Sequence, residues 1–287
     1  FGSSSSDSDR RFLSGSAHPT PSRMVDQVIR ELESLAGHVA DEEEMGAILQ
    51  RHLGRAALEL QTATSLLSRM QSVQRTKELA VVLRCLQRFG LELNVYMASA
   101  AITACRKCCE WAQAVHLLGD FVARHVETNT VTYNAAVSAC EKGREWTTAL
   151  GLLADMAARH VEMDTVSYNA AVSACGKGGS LARALGLLGD MAACSVERNA
   201  ITYSAAVSAC AEEGKWVEAL GFLAEMTASR VEMETITLNA AISACEKGDA
   251  WAEALGLLGE MGKRRLEKTV ITYSAAVSAC GKGGEWA

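Results

Sequence analysis

The dipeptide Ala-Cys recurs at Cys105, Cys140, Cys175, Cys210, Cys245 and Cys280, a spacing of 35 residues with no insertion or deletion between copies. A fixed period of this size denotes a repeat array, in which each unit buries its apolar face against its neighbours. The core of such an array grows with the number of units. A chain of 287 residues therefore need not divide into one or two globular domains.

Within a unit the apolar spacing is helical. In the unit 130–164, Tyr133, Ala136, Val137 and Cys140 share one face of a first helix predicted over about 132–141. Lys142-Gly143-Arg144 breaks it, with Gly supplying the turn. Trp146, Ala149, Leu150, Leu153 and Met156 then mark a second helix starting near Glu145. Two antiparallel helices per unit, stacked in register, predict an all-α, right-handed α-solenoid of helix-turn-helix repeats. The only prolines are Pro19 and Pro21, as long helical runs require.

In this frame the repeats are 95–129, 130–164, 165–199, 200–234 and 235–269, followed by a truncated one over 270–287. Residues 60–94 read as a degenerate repeat, with Leu66, Leu67 and Met70 on its first helix and Leu79, Val82, Leu83 and Leu86 on its second. Residues 24–59 carry helical stripes (Val28, Leu32, Leu35; Met45, Ile48, Leu49, Leu53) and form either a cap or a further degenerate repeat. Residues 1–23 are Ser-rich without an apolar period and are expected to be a disordered lead-in. The chain begins at Phe1 and stops midway through a unit, so a longer protein is expected. The lead-in is not a clear targeting peptide, because Asp7 and Asp9 sit among its arginines.

Several functions are disfavoured. No apolar, uncharged run is long enough to cross a membrane. Histidines are scattered, and no H-E-x-x-H, G-x-S-x-G or Walker A pattern occurs, so no enzyme is read within these residues. The Gly176–Ser180 stretch resembles a phosphate loop in isolation but occupies the repeat's turn. The periodic cysteines are too far apart on stacked helices for disulfides and cannot converge on one metal, so they read as small packing residues. Cys105 and Cys108 form a C-x-x-C without a second ligand pair. No metal or cofactor is expected. The periodic Trp111, Trp146, Trp216, Trp251 and Trp286, replaced once by Leu181, read as core.

Val-Thr-Tyr-Asn-Ala-Ala-Val-Ser-Ala-Cys, a Lys-Gly turn and Ala-Leu-Gly-Leu-Leu-Ala-Asp-Met at this period resemble the pentatricopeptide repeat family, strongly over 95–287 and weakly over 60–94. Uniform 35-residue units resemble its plain P-type array. The resemblance implies binding of single-stranded RNA, one nucleotide per repeat, in a chloroplast or mitochondrion, with roles in RNA processing, stabilisation or translation. It also implies that the fifth and last residues of each repeat read the base. The fifth residues are Thr64, Ser99, Asn134, Asn169, Ser204, Asn239 and Ser274; the last are Asn94, Asn129, Asp164, Asn199, Glu234 and Thr269. Both positions vary among short polar side chains while their neighbours hardly change, which a purely structural position would not require.

By the family's code, Thr64/Asn94 and Ser99/Asn129 resemble adenine readers and Asn134/Asp164 a uracil reader. Asn169/Asn199 and Asn239/Thr269 resemble pyrimidine readers. Ser204/Glu234 departs from the code, with guanine its nearest match. The second residues, Tyr96, Val131, Val166, Ile201, Ile236 and Ile271, resemble the positions that sandwich the base; Gln61 departs from this. Lys107, Lys142, Lys177, Lys247 and Lys282 stand where family members meet phosphate, with Glu212 interrupting the row. Five such contacts predict a salt slope of about −3.5. Against RNA stands the charge: from Val95 onward 17 Lys and Arg face 22 Asp and Glu, a net of −5, with the acids expected on the outer face. The rival reading is a protein-binding α-solenoid scaffold. Protein partners are otherwise expected only on the outer face or beyond the two ends, and a catalytic domain only beyond them.

Overall fold

The computed structural model describes residues 21–34, 42–52, 60–72, 79–88, 91 and 94–283, and the described residues are helical throughout apart from short turns. Most of the expected lead-in, together with Leu35, Leu53 and Trp286, lies outside the described residues. The chain divides into two compact units, 1–92 and 93–287.

The first unit contains α1 (Pro21–Ser34), α2 (Glu42–His52), α3 (Leu60–Ser72) and α4 (Leu79–Arg88). Helix α1 begins inside the stretch expected to be irregular: Pro21 opens it, at the one helical position where a missing N–H costs nothing. Helix α1 packs on α2 and α3, and α2 packs on α4. Val28, Leu32, Met45, Leu49, Leu66, Leu67, Leu79 and Leu86 are buried at these contacts. Burial of each such side chain is worth about 1.5–3 kcal/mol. Glu31 on α1 binds both Arg51 and His52 of α2, and Arg69 of α3 donates to Asp26 of α1.

The second unit runs α5 (Val95–Lys107), α6 (Trp111–Ala123), α7 (Thr130–Gly143), α8 (Trp146–Ala158), α9 (Thr165–Lys177), α10 (Leu181–Ala193), α11 (Ala200–Glu213), α12 (Trp216–Ala228), α13 (Thr235–Lys247), α14 (Trp251–Lys263) and α15 (Val270–Gly283). The odd-numbered first helices pack on one another in sequence, α5 on α7, α7 on α9 and onward to α15. Each even-numbered helix packs on its own first helix and on the next one. The result is the expected α-solenoid, with the first helices forming one continuous layer. The stripe Tyr133, Ala136, Val137 and Cys140 is fully buried between these layers, as are its Ala and Cys copies in α9, α11 and α13. Tyr133 also reaches across its repeat, donating its hydroxyl to Asp155 on α8 at 2.5 Å.

Two details differ from expectation. The turn after the first helix does not need Gly143 for its left-handed residue, because Arg144 takes that conformation (φ 60°). Gly143 is small for another reason. A Cβ there would meet the Trp111 indole, 2.8 Å from Cγ and 3.1 Å from Nε1. Gly178, Gly248 and Gly283 are pressed in the same way by Trp146, Trp216 and Trp251. Trp111, Trp146, Trp216 and Trp251 are accordingly half-buried lids over the next repeat's turn and not core residues. Where Leu181 replaces Trp, the position beneath it is Glu213, whose carboxylate accepts from the Leu181 N–H at 2.9 Å. The larger residue fits where the indole is missing.

Candidate nucleic-acid interface

The layer of first helices presents an open groove. Between α7, α9 and α11 it encloses about 450 Å³ and is lined by Val166, Ile201, Asn169, Ser204, Ser173 and Lys177 among others. Second, fifth and lysine positions predicted from the repeat frame therefore share one surface.

The second residues are exposed although apolar. Tyr96, Val131, Val166, Ile201, Ile236 and Ile271 are 55–71% accessible, and they recur once per repeat along the same edge. Exposed apolar side chains in such a row leave surface that a flat apolar ligand could cover.

In three repeats the fifth and last residues meet. Asn134 donates Nδ2–H to Asp164 Oδ1 at 3.0 Å, Asn169 donates to Asn199 Oδ1 at 3.2 Å, and Asn239 approaches Thr269 Oγ1 at 3.5 Å. A residue absent from the sequence reading completes each pair. The third residue of the following repeat is a buried hydroxyl: Thr132, Ser167, Thr202, Thr237 and Thr272. Ser167 Oγ donates to Asn134 Oδ1, Thr202 Oγ1 to Asn169 Oδ1 and Thr272 Oγ1 to Asn239 Oδ1, each at 2.6 Å. Where the fifth residue is Ser, the same hydroxyl bonds it: Ser99 with Thr132 at 2.8 Å, and Ser204 with Thr237. Ser274 instead donates to the Ile271 carbonyl. Thr64 lies on α3 of the first unit and Asn94 at the head of α5 in the second.

The last residue also has a structural role. Asn94, Asn129, Asp164 and Asn199 N-cap the next first helix: Asn129 Oδ1 accepts from Thr132 N–H at 3.1 Å, Asp164 Oδ1 from Ser167 N–H at 2.9 Å, and Asn199 Oδ1 from Thr202 N–H at 3.0 Å. Thr269 Oγ1 accepts from Thr272 N–H more weakly, at 3.4 Å. Asn, Asp and Thr are all competent caps. The alternation at this position is therefore compatible with a structural constraint, contrary to expectation. The signal was present as Asn-x-x-Thr and Asp-x-x-Ser ahead of each apolar run. Glu234 alone provides no side-chain cap and stands exposed. Burial raises the Asp164 carboxyl pKa, but the N–H groups of Ser167 and Val166 and the side chains of Asn134 and Ser167 outweigh this and hold it below its usual value.

The lysines are not equivalent. Lys177 pairs with Glu141 at 2.7 Å, Lys247 with Glu212 at 3.2 Å and Lys282 with Glu246 at 3.6 Å, each acid coming from the preceding repeat. Lys107 and Lys142 are exposed and make no ion pair among the described residues. Acids thus stand among the groove's cations as well as on the outer face, contrary to expectation. The periodic cysteines are buried, and burial pushes the Cys140, Cys175 and Cys245 thiols up to about 11 and those of Cys105 and Cys210 to about 12. Among the described residues no cluster of His, Cys, Asp or Glu could hold a metal, and no helix is long and apolar enough to cross a membrane.

An array of two-helix repeats with one exposed apolar residue per repeat on its first helices defines a modular helical-repeat protein. The pentatricopeptide repeat domain model matches residues 116–178, 151–213 and 221–283, together more than half of the chain, and the PPR repeat model matches 201–231. The chain belongs to the pentatricopeptide repeat family. No curated protein matches it. Among solved structures it is similar to the pentatricopeptide repeat protein PPR10 from maize, at 22% identity and a TM-score of 0.61, over 93% of this chain and 45% of that one. It is similar also to PPR10 in complex with an 18-nt psaJ RNA element, at 22% identity and a TM-score of 0.53, over 94% and 39%. A third likeness is to the PPR domain of Arabidopsis thaliana protein-only RNase P 1 in complex with tRNA, at 14% identity and a TM-score of 0.54, over 63% and 95%. The chain spans less than half the length of the PPR10 chains it resembles.

Proposed function

We propose that the array binds single-stranded RNA sequence-specifically, one nucleotide per repeat, and that it does so in an organelle as part of RNA processing, stabilisation or translation. Family membership and the RNA-bound likeness support this reading. The observation that carries it is the residual hydrogen-bonding capacity of the fifth and last residues after their structural bonds are made.

Asp164 commits Oδ1 to the Ser167 N–H and to Asn134 Nδ2–H, the Ser167 hydroxyl proton going to Asn134 Oδ1, which leaves Oδ2 as an acceptor beside the second Nδ2–H of Asn134. An acceptor beside a donor matches the N3–H and a carbonyl of uracil. In Asn199 the same two bonds converge on Oδ1, so that Nδ2 remains as a donor. A donor matches the unprotonated N3 of cytosine, which narrows the pyrimidine expected there. Asn129 likewise keeps Nδ2 after Oδ1 has capped α7, and it suits adenine N1. The second residues supply apolar contact to the base faces, which adds affinity without choice. A scaffold for protein would need no such systematic difference between Asp and Asn, and the array itself is assigned no catalysis.

The test is Asp164→Asn. Asn caps as well as Asp, so folding is preserved, and preference at the third predicted base should move from uracil to cytosine at similar affinity. Selection of bound RNAs from a random pool reads this directly. Pools from the two proteins that agree at every position would refute the assignment.

A further inference from the structure

The groove's positive charge is unevenly available. Three of its five periodic lysines already hold a carboxylate of the preceding repeat, and Glu141 is fixed a second time by Ser173 Oγ at 2.8 Å, as Glu246 is by Ser278 at 2.6 Å. A lysine already paired with a carboxylate must give up that pair before it can neutralise a phosphate and release a cation condensed on the RNA.

The N-terminal end of the second unit is different. Arg106 occupies the place of Glu141 and Gly176 in the next two repeats, both of which line the groove. It therefore brings a cation where those repeats bring an acid or no charge. Its Nε is buried without a hydrogen-bond partner among the described residues, an unusual state for a group with five donors in all. Lys107 is adjacent and exposed, and Lys142 follows one repeat later without an acid. Arg106 and Lys107 close the last turn of α5, where the helix's carbonyl end favours cations. That term allows the like charges to sit together, but it leaves the Arg106 Nε without a partner.

We propose that Arg106, Lys107 and Lys142 form a phosphate-binding anchor at the start of this unit, and that the RNA backbone is held electrostatically there and not uniformly along the groove. Lys177, Lys247 and Lys282 are held in reserve by their glutamates. The inference rests on the RNA-binding reading and adds to it where the backbone is held.

Salt dependence separates the possibilities. With three contacts the slope of log K against log salt is about −2, a loss of about 20-fold between about 50 and 200 mM salt; five equal lysines give about −3.5 and about 130-fold. The assay is fluorescence-anisotropy titration of the full chain with an RNA recovered by selection, at several salt concentrations, with circular dichroism confirming the fold of each variant. Lys107→Ala and Lys142→Ala should each reduce the slope's magnitude by about 0.7. Arg106→Gln should do likewise, and the two exposed lysines carry the test should that variant not fold. Glu141→Gln, which frees Lys177, should steepen the slope by about 0.7 and tighten binding at low salt. Equal losses from all five lysines, or no change in Glu141→Gln, overturn the anchor. Failure of the wild type to bind any RNA overturns the RNA reading itself, and the anchor with it.

Discussion

In isolation, Gly143→Ala should stabilise the protein. Gly143 is the last residue of α7 with a right-handed backbone, and Ala is favoured over Gly inside a helix by up to about 1 kcal/mol. The Trp111 indole reverses the sign. The new methyl would lie 2.8 Å from Cγ and 3.1 Å from Nε1, with Cδ1 nearer still, whereas carbon atoms in contact prefer about 3.5–4.0 Å. The atoms met belong to the near edge of a rigid bicyclic ring, so the whole indole must tilt. Overpacking of this kind costs about 1–3 kcal/mol. The net expectation is a loss of about 1–2 kcal/mol in the wild-type background and a gain of about 0.5–1 kcal/mol once Trp111→Leu has opened the space. Urea unfolding of the wild type, both single variants and the double variant, followed by far-UV circular dichroism, completes the cycle. The chain carries its own precedent in Leu181 above Glu213, and Leu181→Trp should accordingly destabilise. If Gly143→Ala is neutral, or equally harmful beneath Trp and Leu, the lid-and-seat account is wrong.

Two further outcomes follow from the same geometry. Glu234→Asp should let the carboxylate cap α13 in place of the bond that the Thr237 N–H now makes to the Glu234 carbonyl at 3.1 Å, and stabilise the array by about 0.5–1 kcal/mol in urea unfolding. The folded thiols of Cys105, Cys140, Cys175, Cys210 and Cys245 titrate above their ordinary 9.0, so their contribution to stability is fully present below pH 9 and is lost as pH rises toward 11–12. Native alkylation at pH 8 read by mass spectrometry should therefore modify the exposed Cys109 and Cys194 and spare these five until denaturant is added.

Much of this architecture was legible in the residues alone, because helical periodicity acts within one segment. Tyr133, Ala136, Val137 and Cys140 lie on one face whatever packs against them, and burial followed. What escaped was contact between repeats. That Lys177 would meet Glu141, 36 residues earlier, or that Trp111 would press on Gly143, depends on the angle at which successive helix pairs stack, which no single-segment pattern encodes. The third-residue hydroxyls were missed for the opposite reason. Thr132 and Ser167 resemble ordinary first-turn residues, and only the neighbouring repeat turns them into the third member of each polar cluster.

The tryptophan lids bear on how such arrays can be lengthened or recombined. Each lid and its glycine belong to different repeats in the 35-residue frame, so a cut at that frame's boundary parts Trp146 from Gly178. The segment that keeps its packing runs second helix first, from Trp146 through Gly178, with junctions in the short turns such as Arg144-Glu145. Those same junctions separate Asn134 from Asp164. A graft that preserves the fold thus inherits half of one polar pair and half of the next, and a graft that preserves the pair must rebuild a lid.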